Sequence, residues 1–421
     1  MVAEAPTTAA PAFGALRRRG RVPGAFFIGG PAFVAAVAYI DPGNFATNFA
    51  AGAEYGYALV WVVVGANLMA MLVQYQSAKL GVATGRDLPE LCRDRYSRPV
   101  SRTLWVQAEI VAMATDIAEF VGAAIGLYLV FGIPLFPAGL ITAVVAFAIL
   151  ALEQRGHRKF ELVIVGLLGL VLLGFAYDLA TVGASPAEFA AGLVPQLPDS
   201  GAVMLAAGII GATVMPHVVY LHSALTKNRV SCADDGERRS LLKVYRVDVV
   251  VALGTAGLIN VTMMVVAASV FHSVGGGGAD SIESAHDGLL RLAGGGAAIA
   301  FAVALLASGL SSASVGTYAG QVVMQGFIQR RIPLFARRAV TMVPALTVLA
   351  LGLPVTTTLV VSQVVLSFGI PFALVPLLLL GRRVDVMGGL VNRRRTTVLM
   401  STVAGVIIAL NVYLLWDTFL R

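Results

Sequence analysis

Residues Ala38-Tyr39-Ile40-Asp41-Pro42-Gly43-Asn44-Phe45 set a carboxylate, a proline, a glycine and an amide in the middle of an apolar stretch that runs over 25–53. In a lipid bilayer that combination is expensive. An ionisable side chain at mid-depth is a functional position by default, and irregular backbone is tolerated there only where it faces protein or a wet cavity. A second interruption, Gly211-Ala212-Thr213-Val214-Met215-Pro216-His217, falls in the apolar stretch 201–225. Pro216 has no backbone N–H, so the carbonyl of Ala212, four residues earlier, loses its helical partner and becomes a potential ligand. Taken alone, Met215 reads as core packing; paired with the first break, it reads as a donor.

Composition places these stretches in a membrane. The chain has 421 residues, 58% hydrophobic and 13% charged, with mean hydropathy +0.83, against about 25% charged residues in a soluble domain. Eleven spans are expected, over 25–53, 57–80, 104–131, 135–152, 160–178, 201–225, 244–271, 293–327, 339–353, 357–380 and 396–415. With the N-terminus on the cytoplasmic side, 28 of the 30 Lys and Arg residues fall in cytoplasmic connections, leaving only Arg291 and Arg421 outside. One span too many or too few would invert the later loops and destroy that asymmetry. The expected topology is therefore a cytoplasmic N-terminus and an extracellular C-terminus.

The net charge of +7 belongs to this topology, not to a nucleic-acid surface, because the basic residues sit between apolar stretches and form no single stripe. No G-x-x-x-x-G-K-[ST] loop is present, so no nucleotide is implied. Cys92 and Cys232 lack the C-x-x-C spacing of a metal or redox pair and read as structural. Residues 1–24 read as a disordered cytoplasmic tail, rich in Ala, Pro and Thr, ahead of a single membrane domain over 25–421. Twenty-six Arg against four Lys suggests a GC-rich bacterial genome, and with no organelle address the expected location is the bacterial plasma membrane.

Five spans separate the start of one break from the start of the other, an odd number, so two five-helix units run in opposite directions: 25–178 and 201–380, with 396–415 as an added helix. In such inverted repeats the broken helices meet near the midplane and supply the substrate site from side chains and freed carbonyls. The Asp41 carboxylate, Asn44 amide oxygen and Ala212 carbonyl are hard donors, and the Met215 thioether is soft. Magnesium and calcium prefer all-oxygen shells; manganese, iron and cadmium accept mixed ones.

Asp41-Pro42-Gly43-Asn44 resembles the DPGN motif, and Met215-Pro216-His217 the MPH motif, of the Nramp family of proton-coupled divalent metal symporters. The stretch Gly316-Thr317-Tyr318-Ala319-Gly320-Gln321 resembles the family's transport signature, although Leu310 stands where a glutamine is expected before Ser311 and Ser312. The resemblance covers nearly the whole chain. It implies an all-α polytopic membrane protein with a LeuT-type five-plus-five inverted repeat, helices 1 and 6 broken, and metal ligands at Asp41, Asn44, Ala212 and Met215. Its counterpart suggests Gln363 as a ligand on closure; a helix-to-helix hydrogen bond is the other reading of Gln363.

Glu109, Asp116 and Glu119, spaced by seven and three, share one face of the third span. His217 and Arg337 or Arg338 are candidates to neutralise that stripe as a relay beside Asp41, and the resemblance assigns proton transfer to the same positions. For Glu109 a packing ion pair is the other reading. The expected function is a secondary transporter, not an enzyme, importing Mn2+, Fe2+ or similar ions with protons and needing no cofactor. The alternative is a sodium-coupled amino-acid transporter on the same architecture, which Asp41 disfavours because it would repel a substrate carboxylate.

Overall fold

The computed structural model describes residues 11–18, 30–154, 157–272, 281–330 and 332–420. Its helices are α1 (Phe13–Arg18), α2 (Pro31–Ala38), α3 (Pro42–Tyr55), α4 (Val60–Thr84), α5 (Leu88–Arg95), α6 (Arg98–Phe131), α7 (Leu135–Gln154), α8 (His157–Val182) and α9 (Pro186–Gly192). They continue with α10 (Ser200–Thr213), α11 (Pro216–Thr226), α12 (Asp235–Phe271), α13 (Ile282–Leu292), α14 (Gly295–Ile328), α15 (Leu334–Ala350), α16 (Val355–Gly381), α17 (Val384–Met387) and α18 (Arg394–Leu420). Each expected span falls on one helix or on a helix pair. Among the described residues, eight helical segments are long and apolar enough to cross a bilayer, the broken pair α10 and α11 counting as one. The other three crossings are the pair α2 and α3, the shorter apolar helix α7, and the 17-residue α15 with Pro344 inside it. Residues 25–29 of the first span lie outside the described residues.

Several helices outrun their apolar stretches. α6 begins at Arg98 instead of 104 and α12 at Asp235 instead of 244. Helical hydrogen bonding does not stop at the membrane surface, and polar residues start these helices: Asp234 accepts from the Glu237 N–H at 2.7 Å. Gly132, at φ 68°, ends α6 in the left-handed conformation that glycine adopts without strain.

The expected disordered tail is a correction in part. Residues 11–18 are ordered, because the Phe13 side chain is buried with Val230, Leu241 and Tyr245 and the Phe13 N–H donates to the Ser231 carbonyl at 3.0 Å. Residues 1–10 and 19–24 lie outside the described residues.

Small residues let the crossing helices approach closely. α14 and α6 make the most extensive helix pairing, with the Gly309 backbone against Ala123 and Gly126 against Leu306. α3 packs on α12, α10 and α16, and α2 on α12, α14 and α8. The first break is thereby enclosed, and residues 34–49 are all buried, their polar members included: Asp41, Asn44, Thr47 and Asn48 are each 0% exposed.

The connection around α5 is a compact polar element. Asp87 and Glu90 form a reciprocal capping box, and Lys227, following α11, reaches both, at 2.9 Å from Glu90. Burial pushes the Asp87 carboxyl above its ordinary range, and the Lys227 ammonium opposes that shift.

Candidate functional site

Tyr39, Ile40 and Asp41 interrupt the first broken helix, and Val214 and Met215 interrupt the second. Asp41 caps α3: its Oδ1 accepts from the Asn44 N–H at 2.9 Å. A carboxylate here faces the positive end of the α3 dipole and the unsatisfied amides of its first turn. The Ile40 carbonyl, free of its helix, accepts from the Ser308 hydroxyl at 2.5 Å.

The two breaks are joined through Asn44. Its amide Nδ2 donates to Asp41 Oδ1 at 2.7 Å and to the Ala212 carbonyl at 3.0 Å. The Ala212 carbonyl, expected to be unpaired, therefore has a partner, supplied by a side chain because Pro216 cannot supply one. The Asn44 NH2 stands where a cation would stand, between a carboxylate and a carbonyl. A half-turn of the amide exchanges its N and O, after which Oδ1 faces the same point as a ligand. Thr213 Oγ1 lies 3.5 Å from that oxygen in the present orientation.

Gln363, on α16, closes another side. Its Nε2 is 3.5 Å from Asp41 Oδ2 and its Oε1 has no hydrogen-bond partner. This approach depends on Gly43, where a Cβ would overlap the Gln363 amide. Met215 is the N-cap residue of α11, extended at φ −71° and ψ 118°, with its thioether fully buried. Hydrogen bonds thus bring Asp41, Asn44, Ala212 and Gln363 together, and Met215 sits in the second break three residues past Ala212. Among the described residues no three His, Cys, Asp or Glu side chains gather into a metal cluster. The potential donors here are instead one carboxylate, two amides, a carbonyl and a thioether.

The acidic stripe on α6 divides into three environments. Glu109 is held by Arg337, with Nη2 to Oε2 at 2.8 Å and Nη1 to Oε1 at 3.2 Å, and Trp105 Nε1 donates to it at 3.2 Å. Asp116 accepts from Arg338 Nη1 at 3.0 Å. That guanidinium is 1% exposed, also donates to Thr317 Oγ1 at 2.7 Å and the Ala313 carbonyl at 3.1 Å, and lies over the Phe120 ring. Both expected arginines are used, one per carboxylate. Glu119 has neither: it is fully buried, and no hydrogen bond of normal geometry reaches Oε1 or Oε2. Its carboxyl fits only because Gly316 lacks a Cβ, which would lie 2.6 Å from Oε2.

Among the described residues His217 bonds no acid; its Nδ1 is 3.3 Å from Thr115 Oγ1 and its Nε2 has no hydrogen-bond partner. The helix that follows Pro216 turns the ring toward the residue before Asp116, not toward a carboxylate. Leu310, in place of the expected glutamine, packs half-buried against the apolar core.

Sequence reasoning missed a second polar chain. The Asn48 amide donates to Asn260 Oδ1 at 3.0 Å, Asn260 donates to the Tyr39 carbonyl at 2.7 Å, and Gln74 donates to the Tyr39 hydroxyl at 2.5 Å. His222 Nδ1 meets Gln74 Oε1 at 2.9 Å. The available signal was the cost of Gln74, Asn260 and Asn48 inside apolar spans; their pairing across four helices was not legible.

The chain is 53% identical over 390 residues to the divalent metal cation transporter MntH of Deinococcus radiodurans, an alignment covering 92% of this chain and 89% of that one. Its fold is similar to that of the manganese transporter of Eremococcus coleocola, with a TM-score of 0.86 and 32% identity over 96% of this chain and 88% of that one. The likeness extends in fold alone to MhsT, with a TM-score of 0.63 and 13% identity over 93% and 98% of the two chains. The model of the natural resistance-associated macrophage protein-like family matches residues 32–417. Two broken helices joined at Asp41, Asn44 and Ala212, with that match over nearly the whole length, make this chain a member of the Nramp family.

Proposed function

We propose that the protein imports divalent transition-metal ions, manganese, iron and similar ions including cadmium, by alternating access coupled to protons. The carrying observation is the Asn44 amide held between the Asp41 carboxylate and the Ala212 carbonyl, a pair of acceptors that an arriving dication competes for. The relatives' printed names, a divalent metal cation transporter and a manganese transporter, support the same reading. Asp41, Asn44, Ala212, Met215 and Gln363 are the proposed ligands. Met215 supplies the soft donor that favours transition ions over calcium and magnesium.

A divalent ion at Asp41 competes with any proton held there, so metal arrival and proton departure are linked at one carboxylate. Glu119, with no ion pair among the described residues and its carboxyl against Gly316 of α14, is the proposed acceptor; Thr115, one turn before it on α6, meets His217. Arg338 and Arg337 orient Asp116 and Glu109 and continue the relay along α6. The units 25–178 and 201–380 rock about the two breaks, with 396–415 outside the repeat. The proposed topology puts the N-terminus in the bacterial cytoplasm and the C-terminus outside, following the Lys and Arg asymmetry. The partners are the metal ions, protons and the bilayer.

The test is manganese uptake into proteoliposomes with internal pH recorded at the same time. Asp41→Ala should abolish uptake, because a dication is left uncompensated in a buried cavity. Glu119→Gln should keep metal binding and lose accompanying acidification. Uptake by Asp41→Ala at the wild-type rate would overturn the site, and unchanged proton flux in Glu119→Gln would overturn the relay.

A further inference from the structure

Outside the site and the α6 stripe, the buried acids among the described residues are Asp87, held by Lys227, Asp248, which accepts from the Gly30 and Ala32 N–H groups, and Asp178, which has no such role. Asp178 on α8 is 0% exposed, and neither of its carboxyl oxygens has a hydrogen-bond partner among the described residues. An isolated carboxylate in a low-dielectric interior is far costlier than the neutral acid. Its sequence position, at the end of an apolar stretch, suggested nothing of this burial.

Helix periodicity puts Asp178 on the face that also carries Gly174 and Phe175. On that face a Gly174 Cβ would lie 3.0 Å from the Ala300 carbonyl and 3.2 Å from the Ala304 Cβ of α14, whereas Tyr177 lies against Gly296. α8 and α14 are thus antiparallel here, and Asp178 lies further toward the outer end than Phe175. The Phe175 ring packs on Phe45 and Phe49 of α3 and on Phe301 of α14, at centroid distances of 5.2, 6.3 and 6.5 Å. Phe45 follows Asn44 directly. Four rings therefore fill the seam between the outer half of the first broken helix and the α8–α14 pair, and Asp178 stands one turn beyond them.

The helices packed against α8 are α14, α12, α7 and α2, with α3 joined through the rings of Phe45 and Phe49. Apart from Glu54 at the end of α3, their described outer halves carry no acid or base until His272, at the end of α12, which lies 3.3 Å from the Ala53 carbonyl. The other titratable groups at that end include Glu54, Glu283, His286, Asp287 and Arg291, and none bonds Asp178. Asp280 lies outside the described residues.

We propose that Asp178 is a further proton-binding position of the transport cycle, emptied when α3 swings away from α8 and refilled before the four rings close again. The proton goes to water on the outer side and returns from it, with no other bond made or broken. An ionised Asp178 cannot be re-buried unpaired, so outer closure draws on external protons. This rests on the alternating-access reading above.

The test uses Asp178→Asn, neutral and nearly isosteric, with Asp178→Ser as a second neutral variant should the first fail to accumulate. In wild-type protein in lipid nanodiscs at acidic pH, infrared spectroscopy should show a protonated-carboxyl carbonyl band that the variant lacks. Manganese uptake should fall with rising external pH in the wild type. One titrating group contributes at most about tenfold per pH unit, and the variant's alkaline limb should be flatter by up to that factor, with manganese affinity at acidic pH unchanged. A variant spectrum identical to wild type, or superimposable pH profiles, overturns the proposal. The infrared arm needs no metal, so its failure is distinct from failure of the metal site.

Discussion

Replacing Arg338 with methionine would leave the Asp116 carboxylate, 3% exposed, without the guanidinium that stands 3.0 Å from it, and would take donors from Thr317 and the Ala313 carbonyl. Breaking one side of a buried pair costs about 3–5 kcal/mol, because the surviving charge is left uncompensated. Removing both charges, in Asp116→Asn with Arg338→Met, should recover most of that, leaving the lost hydrogen bonds to Thr317 and Ala313 at about 1–3 kcal/mol. Asp116→Asn alone strands the guanidinium at a similar cost, so the two single costs together should exceed the double-mutant cost by at least about 3 kcal/mol. The pair Arg383 and Asp385, roughly half exposed at 54% and 50%, is the control, and its removal should cost far less because solvent screens it. The assay is denaturant unfolding of the four proteins in a fixed detergent, followed by tryptophan fluorescence. Additive costs in the double mutant, or an Arg338→Met cost no larger than the surface control, would refute the picture of a desolvated, mutually dependent pair.

Met215→Ala should cost selectivity more than activity. Water can fill the vacated position and leave a harder shell, so cadmium uptake should fall most, manganese uptake should survive in part, and competition by calcium or magnesium should strengthen. Unchanged cadmium affinity with undiminished rejection of calcium and magnesium would make Met215 a packing residue only. Gly43→Ala should reduce manganese uptake by about tenfold or more, equivalent to about 1.4 kcal/mol, because its new Cβ overlaps the Gln363 amide. Gln363→Ala in the same chain should restore part of that loss, and a fully active Gly43→Ala would rule out the close approach at the first break.

The residues that reached the site were legible one at a time because each violates the rules of its surroundings. Asp41 and Asn44 are polar at mid-span, and Pro216 removes a donor from a helix. Basic residues cluster in alternate connections. What such violations cannot report is direction. His217 follows the MPH break and carries a titratable ring, yet the trajectory of α11 points it at Thr115. Arg337 and Arg338, adjacent in sequence and interchangeable on that basis, take different carboxylates because neighbouring residues on a helix diverge by about 100°. Phe13 falls in the stretch expected as a disordered tail, yet its ring is buried with Val230, Leu241 and Tyr245.

The sequence by itself determined the membrane environment, the expected span count, the position of both breaks and the chemical character of the donors, all of which follow from local cost in a bilayer and from charge asymmetry. Only the tertiary structure decided the pairings: that Asn44 bridges the two breaks, that Glu119 and Asp178 are, among the described residues, the buried acids whose carboxyl oxygens both lack a hydrogen bond of normal geometry, and that Gln74, Tyr39 and Asn260 form a second chain. The physical reason is that a buried polar group must find its partner across helices distant in sequence. Which partner it finds is set by packing distances of a few tenths of an ångström, which no single span encodes.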